Sequence, residues 1–123
     1  KIVIPTTVKE IQKGALVNCS SLTELQIPFI GTKGENEDGR DEIFESIFAG
    51  DKPNSLEVVV EESTEIPALA FANCKIITKV IFKDTNLKVI NGYAFAQCEN
   101  LQEIVLGDGI TTIDEYAFLA VVA

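Results

Sequence analysis

The chain has no histidine, no tryptophan and no methionine, and only three cysteines in 123 residues. Without an imidazole there is no histidine general base, so Ser-His and Cys-His nucleophile pairs are excluded. No Gly-x-Ser-x-Gly motif occurs. The glycine-rich stretches lack the Lys-Ser/Thr that completes a phosphate-binding loop. Carboxylates are plentiful, but glycoside hydrolysis needs a pair at a fixed separation across a cleft, and no pair is marked as special. The expectation is a non-enzyme with no cofactor and no catalytic, cofactor-binding or metal-binding residues. No apolar run approaches the roughly 20 residues of a membrane-spanning helix. Nineteen acids stand against ten bases, a net charge of -9. That balance makes nucleic acid and anionic membrane surfaces poor partners.

What is present is repetition. Ile11-x-x-Gly14-Ala15-Leu16-x-x-Cys19-x-x-Leu22-x-x-Leu25-x-Ile27 returns as Ile66-x-x-x-Ala70-Phe71-x-x-Cys74-x-x-Ile77-x-x-Val80-x-Phe82. It returns again as Ile90-x-x-x-Ala94-Phe95-x-x-Cys98-x-x-Leu101-x-x-Ile104-x-Leu106, and a fourth copy begins at Ile113 and reaches Ala117-Phe118. Cys74 and Cys98 lie 24 residues apart, and Phe95 and Phe118 lie 23 apart. A period in this range indicates a leucine-rich repeat solenoid, a strand-bearing superhelix of α/β or mostly β character, here of about four rungs. Each rung buries its apolar face on the next, so the whole chain forms one such domain. It begins with Lys1-Ile2-Val3-Ile4-Pro5, which matches Leu25-Gln26-Ile27-Pro28 at the end of a copy, and it stops inside another. A fragment of a longer protein is therefore expected.

Within a copy, Leu101 to Leu106 alternates as a short strand does, with Ile104 and Leu106 inward and Glu103 and Val105 outward. Gly107-Asp108-Gly109 turns the chain, and Ile110 and Ile113 are expected in the core. The Ala-Phe pair sets a small residue beside a large one, so Phe71, Phe95 and Phe118 should form a ladder with Leu16 as its shorter first member. Cys19, Cys74 and Cys98 share one repeat position. Free cysteine is a small, commonly buried hydrophobe, which favours core thiols over an inter-rung disulfide or a metal site. Asn18 and Asn73 suit a turn, the more economical reading of Asn18-Cys19-Ser20 than a glycosylation acceptor.

The regularity breaks over 29–55. Gly31 to Arg40 is polar and glycine-rich, hence a loop. Asp41 can cap a short helix over 41–49, with Ile43, Phe44, Ile47 and Phe48 at helical spacing. A calcium site is conceivable among the acids here, but the spacing of a helix-loop-helix calcium loop is not met. The rung resumes at Leu56-Glu57-Val58-Val59-Val60, with Val58 and Val60 competing with Val59 for the inward face.

Binding capacity is expected on the outer face of the stacked strands. Val3, Gln26, Ile81 and Val105 should form an outward row that is mostly apolar, beside a charged row of Glu24, Lys79 and Glu103. An exposed apolar strip can mark an interaction surface, although β-branched residues are also simply good strand formers. Such a strip suits a protein partner better than a sugar. A monomer is expected.

The copy from Ile90 to Leu106, with Ser21-Leu22-Thr23-Glu24-Leu25-Gln26-Ile27-Pro28, resembles the BspA-like (Treponema-type) leucine-rich repeat family over nearly everything outside 29–55. The resemblance implies a secreted or surface-attached protein of bacteria or of some parasitic protists, associated with adhesion to host proteins, cells or extracellular matrix. It implies an extracellular or cell-surface location and a protein partner. No ligand-contact residue carries over, because the shared positions are the buried ones. The chain departs from the pattern at Leu16, at Pro67-Ala68 and across 29–55. The alternative role is a structural spacer supporting functional domains elsewhere.

Overall fold

The computed structural model describes residues 1–31, 43–84 and 86–121. Among the described residues ten short strands follow one another: β1 (Ile2–Val3), β2 (Leu16–Val17), β3 (Glu24–Ile27), β4 (Phe48–Ala49), β5 (Leu56–Val60), β6 (Glu65–Ile66), β7 (Ile77–Phe82), β8 (Val89–Ile90), β9 (Glu103–Val105) and β10 (Thr112–Ile113). They form a five-stranded sheet β1-β3-β5-β7-β9, a three-stranded sheet β10-β8-β6 and a two-stranded sheet β2-β4. Every pairing is parallel. Successive strands of the large sheet are one turn apart in sequence, the turn from β3 to β5 being the longest, so the chain winds as a solenoid and each turn lies on the one before.

The inward positions are the repeated ones. Leu25, Val58 and Val80 are paired across the large sheet, and each is at most 1% exposed. Leu22, Leu56, Ile77 and Leu101 form a second buried file, and Ile66 and Ile90 a third on the small sheet. Fully burying such a side chain is worth about 1.5–3 kcal/mol, so the stack is held chiefly by these files. Ala70, Ala94 and Ala117 are buried, and their carbonyls accept from Phe44 N, Phe71 N and Phe95 N at 2.9, 2.7 and 2.8 Å. A methyl at this position lets neighbouring turns approach closely enough to make those bonds.

The rings beside them stack as the repeat implies. Phe71 and Phe95 are 5.0 Å apart, Phe95 and Phe118 5.5 Å, each pair within 4° of parallel. The next member is Phe44, 5.0 Å from Phe71, not Leu16. Leu16 pairs instead with Phe48, one turn further along. Two left-handed residues bracket each crossing segment and fold it back toward the strands. The first position holds Gly14, Leu69, Tyr93 and Tyr116, with φ of +72°, +64°, +58° and +57°. Glycine takes this conformation without steric penalty, and the three larger residues hold it against one. The second position holds Asn18, Asn73, Gln97 and Ala120. Asn18 also accepts from Asp51 N through Oδ1, at 2.9 Å.

Two further expectations change. The helix over 41–49 is one 3₁₀ turn, Phe44–Ile47, followed directly by β4. Phe44, Ile47 and Phe48 are all buried in the solenoid, and β4 is committed to pairing with β2, which limits helix to one turn. Residues 41 and 42, and the loop from 32 to 40, lie outside the described residues. Ile113, expected in the core, is 56% exposed, whereas its equivalents Ile66 and Ile90 are fully covered. Ile113 lies on β10, an edge of the small sheet, with no further described strand against it.

Candidate functional site

The large sheet turns its outer face to solvent, and pairing brings the expected residues into line. Val3, Gln26, Val59, Ile81 and Val105 are successive partners across all five strands. Val3 and Val105 at the ends are 54% and 39% exposed, and the three between are half-buried. One row over, Glu24, Glu57, Lys79 and Glu103 are successive partners. Val59 and Glu57 complete rows in which the repeat pattern left a gap.

The signal that would have placed them is a missing residue. Elsewhere the inward positions are spaced three and then two, as in Leu22, Leu25, Ile27. In β5 they are spaced two and two, as Leu56, Val58, Val60. The register accordingly shifts between Leu56 and Glu57, leaving Thr78 as an extra residue opposite. Such a bulge keeps both sets of inward side chains in the core, because the face alternates with every residue.

The charged side chains flanking the apolar row are mostly paired with one another. Lys1 Nζ lies 3.5 Å from Glu24, Lys79 Nζ 3.5 Å from Glu103, and Lys83 Nζ 3.2 Å from Glu61. Gln26 donates from Nε2 to Glu61, which reaches across the face toward β5. Surface pairs of this kind contribute at most about 1 kcal/mol each, so their main effect is to order the face.

A second exposed feature lies on the crossing segments. Tyr93 and Tyr116 stack at 5.3 Å and are 42% and 56% exposed, with Leu69 at the equivalent position of the preceding copy 50% exposed. An open groove of about 850 Å³ lies beside Pro28 and Phe29, and its lining contains neither histidine nor thiol. Among the described residues no group of three or more His, Cys, Asp or Glu could hold a metal ion. No helix among them is long and apolar enough to cross a membrane.

The three cysteines are free; Cys74 and Cys98 are buried, and Cys98 donates its thiol to the Phe71 carbonyl. Burial, reinforced by the carboxylate of Glu45, pushes the Cys74 thiol well above the usual thiol range. Burial pushes Cys98 up from 9.0 to about 11. A thiol raised in the folded state is fully stabilising below its unfolded pKa, and that contribution is lost as pH rises through the folded value. Stability should therefore fall above pH 9 toward 11, by up to about 1.4 kcal/mol per pH unit for each buried thiol. Denaturant unfolding of wild type and Cys98→Ala across this range should give curves of different slope; parallel curves would contradict it.

The repeat profile described as a BspA type leucine rich repeat region matches residues 1–119 in six copies. The chain belongs to this family of leucine-rich repeat proteins. Its members are structural and protein-interaction modules, generally non-catalytic and typically associated with bacterial surfaces. No curated protein and no solved structure gives a match.

Proposed function

We propose that the chain is a non-catalytic protein-binding module of an extracellular or cell-surface protein, contributing to adhesion through the outer face of its large sheet. The supporting observation is the unbroken row Val3-Gln26-Val59-Ile81-Val105, aliphatic at four of its five positions and flanked by ordered charges. Val3, Glu24, Gln26, Lys79, Ile81, Glu103 and Val105 are its contact residues, joined by Glu57 and Val59.

Binding of the chain to intact cells and to a panel of extracellular-matrix proteins tests this reading. Wild type should bind saturably. Ile81→Asp and Val105→Asp each place a charge on the row and should weaken binding about tenfold or more, because desolvating an unpaired carboxylate opposes docking. Their melting temperatures should stay close to wild type. Unchanged binding by both variants would remove the strand face from consideration and leave the spacer role.

A further inference from the structure

Three ion pairs account for six of the charged side chains around the strand face: Lys1 with Glu24, Lys79 with Glu103, and Lys83 with Glu61. The seventh is Glu57, on the central strand of five. Its row neighbours are Glu24 on one side and Lys79 on the other. Lys79 extends away from it to Glu103, and Glu24 is engaged by Lys1. Among the described residues Glu57 thus has no cation partner; it stands beside a second carboxylate and is half-buried. Like charges directly opposite each other on paired strands are destabilising. Two residues along the same strand and the same face lies Val59, the middle of the apolar row.

We infer that the strand face takes a protein segment that lays apolar side chains over Val59, Ile81 and Val105 and sets one lysine or arginine against Glu57. This rests on the reading of that face as the interaction surface, and adds the partner's chemistry to it. The three internal pairs leave an incoming charge little to gain on the rim. The central carboxylate is different: covering it with an apolar partner would bury an unpaired charge, so a partner without a cation there is disfavoured. The cation selects the partner and its alignment, while the apolar row contributes most of the contact.

A displayed random-peptide library selected against the whole chain tests this. Binders are first sorted by whether Ile81→Asp abolishes them. Those that are lost should carry a lysine or arginine, should bind less well with added salt, and should weaken about tenfold toward Glu57→Gln. Glu57→Lys should abolish them, and exchanging the peptide's cation for glutamate should restore binding to that variant. Glu57→Gln should melt no lower than wild type, since it relieves repulsion with Glu24, so lost binding cannot be ascribed to unfolding. Ile81-dependent binders that lack a cation and ignore Glu57→Gln would overturn this inference and leave the strand-face reading intact. A selection with no Ile81-dependent binder would overturn both.

Discussion

Replacing Phe95 with alanine should cost about 3–5 kcal/mol, the usual range for emptying a buried aromatic site, and it should loosen the turns on both sides of the substitution. Phe95 is fully buried and lies between two rings parallel to it, Phe71 and Phe118, with Phe82 edge-on at 6.3 Å. Truncation therefore removes two stacking contacts and one edge contact as well as the buried area. Aromatic pairs of this kind add about 0.5–1.5 kcal/mol beyond burial. The site has little freedom to collapse, because Ala94 and Ala117 are already small and their carbonyls are committed to Phe71 N and Phe95 N. A domain of this size has only about 5–15 kcal/mol in total. In a solenoid the loss falls first on nearest neighbours. Amide exchange should accelerate over 77–121 before it does over 16–30, and the urea midpoint should drop. Phe95→Leu should recover much of the loss. A uniform rise in exchange along the chain, or a midpoint shift under about 1 kcal/mol, would contradict the ladder's role.

The second large effect separates adjacent residues. Val58→Asp should unfold the central turn, and Val59→Asp should leave it folded. Val58 is fully buried, paired with Leu25 and Val80, and a carboxylate there would have no cation and no donor within the apolar file. Burial of an unpaired charge costs several kcal/mol, a large share of the total. Val59 points the other way, between Gln26 and Ile81, and is only half-buried. Its substitution should change stability by about 1 kcal/mol or less. Circular dichroism and thermal melts of the two variants decide the matter. Equal damage from both, or greater damage from Val59→Asp, would mean that the register of β5 is reversed.

That register shows where the sequence was legible and where it was not. Ile, Ala-Phe, Cys and Leu recur because each turn must bury the same shape against the next, so the solenoid, the Phe71-Phe95-Phe118 ladder and the burial of Cys74 and Cys98 could be read directly, whereas Cys19, expected in the core with them, is only half-buried. Val3, Gln26, Ile81 and Val105 followed from strand alternation once the strands were placed. β5 resisted because it is one residue short, and the compensation is made on the neighbouring strand, at Thr78. A bulge that repairs a deletion on another strand leaves no mark in its own segment. Phe44 resisted for a related reason. It extends the ring ladder from a 3₁₀ turn rather than from an Ala-Phe pair, so the packing is preserved while the motif is not. Tyr93 and Tyr116 share one repeat position, and their exposure goes with the left-handed backbone there, which side-chain periodicity does not report.

The central claim is that the buried positions build the scaffold and the outer strand face does the binding. The most direct test compares two faces of one folded protein against a ligand that wild type binds saturably. A Val59→Asp/Ile81→Asp variant alters the strand face, and Tyr93→Asp alters the crossing face at a position whose backbone aspartate tolerates. With both variants folded by circular dichroism, affinity should fall at least about tenfold for the first and stay within about twofold of wild type for the second. Full affinity in the strand-face variant together with loss in Tyr93→Asp would contradict the account.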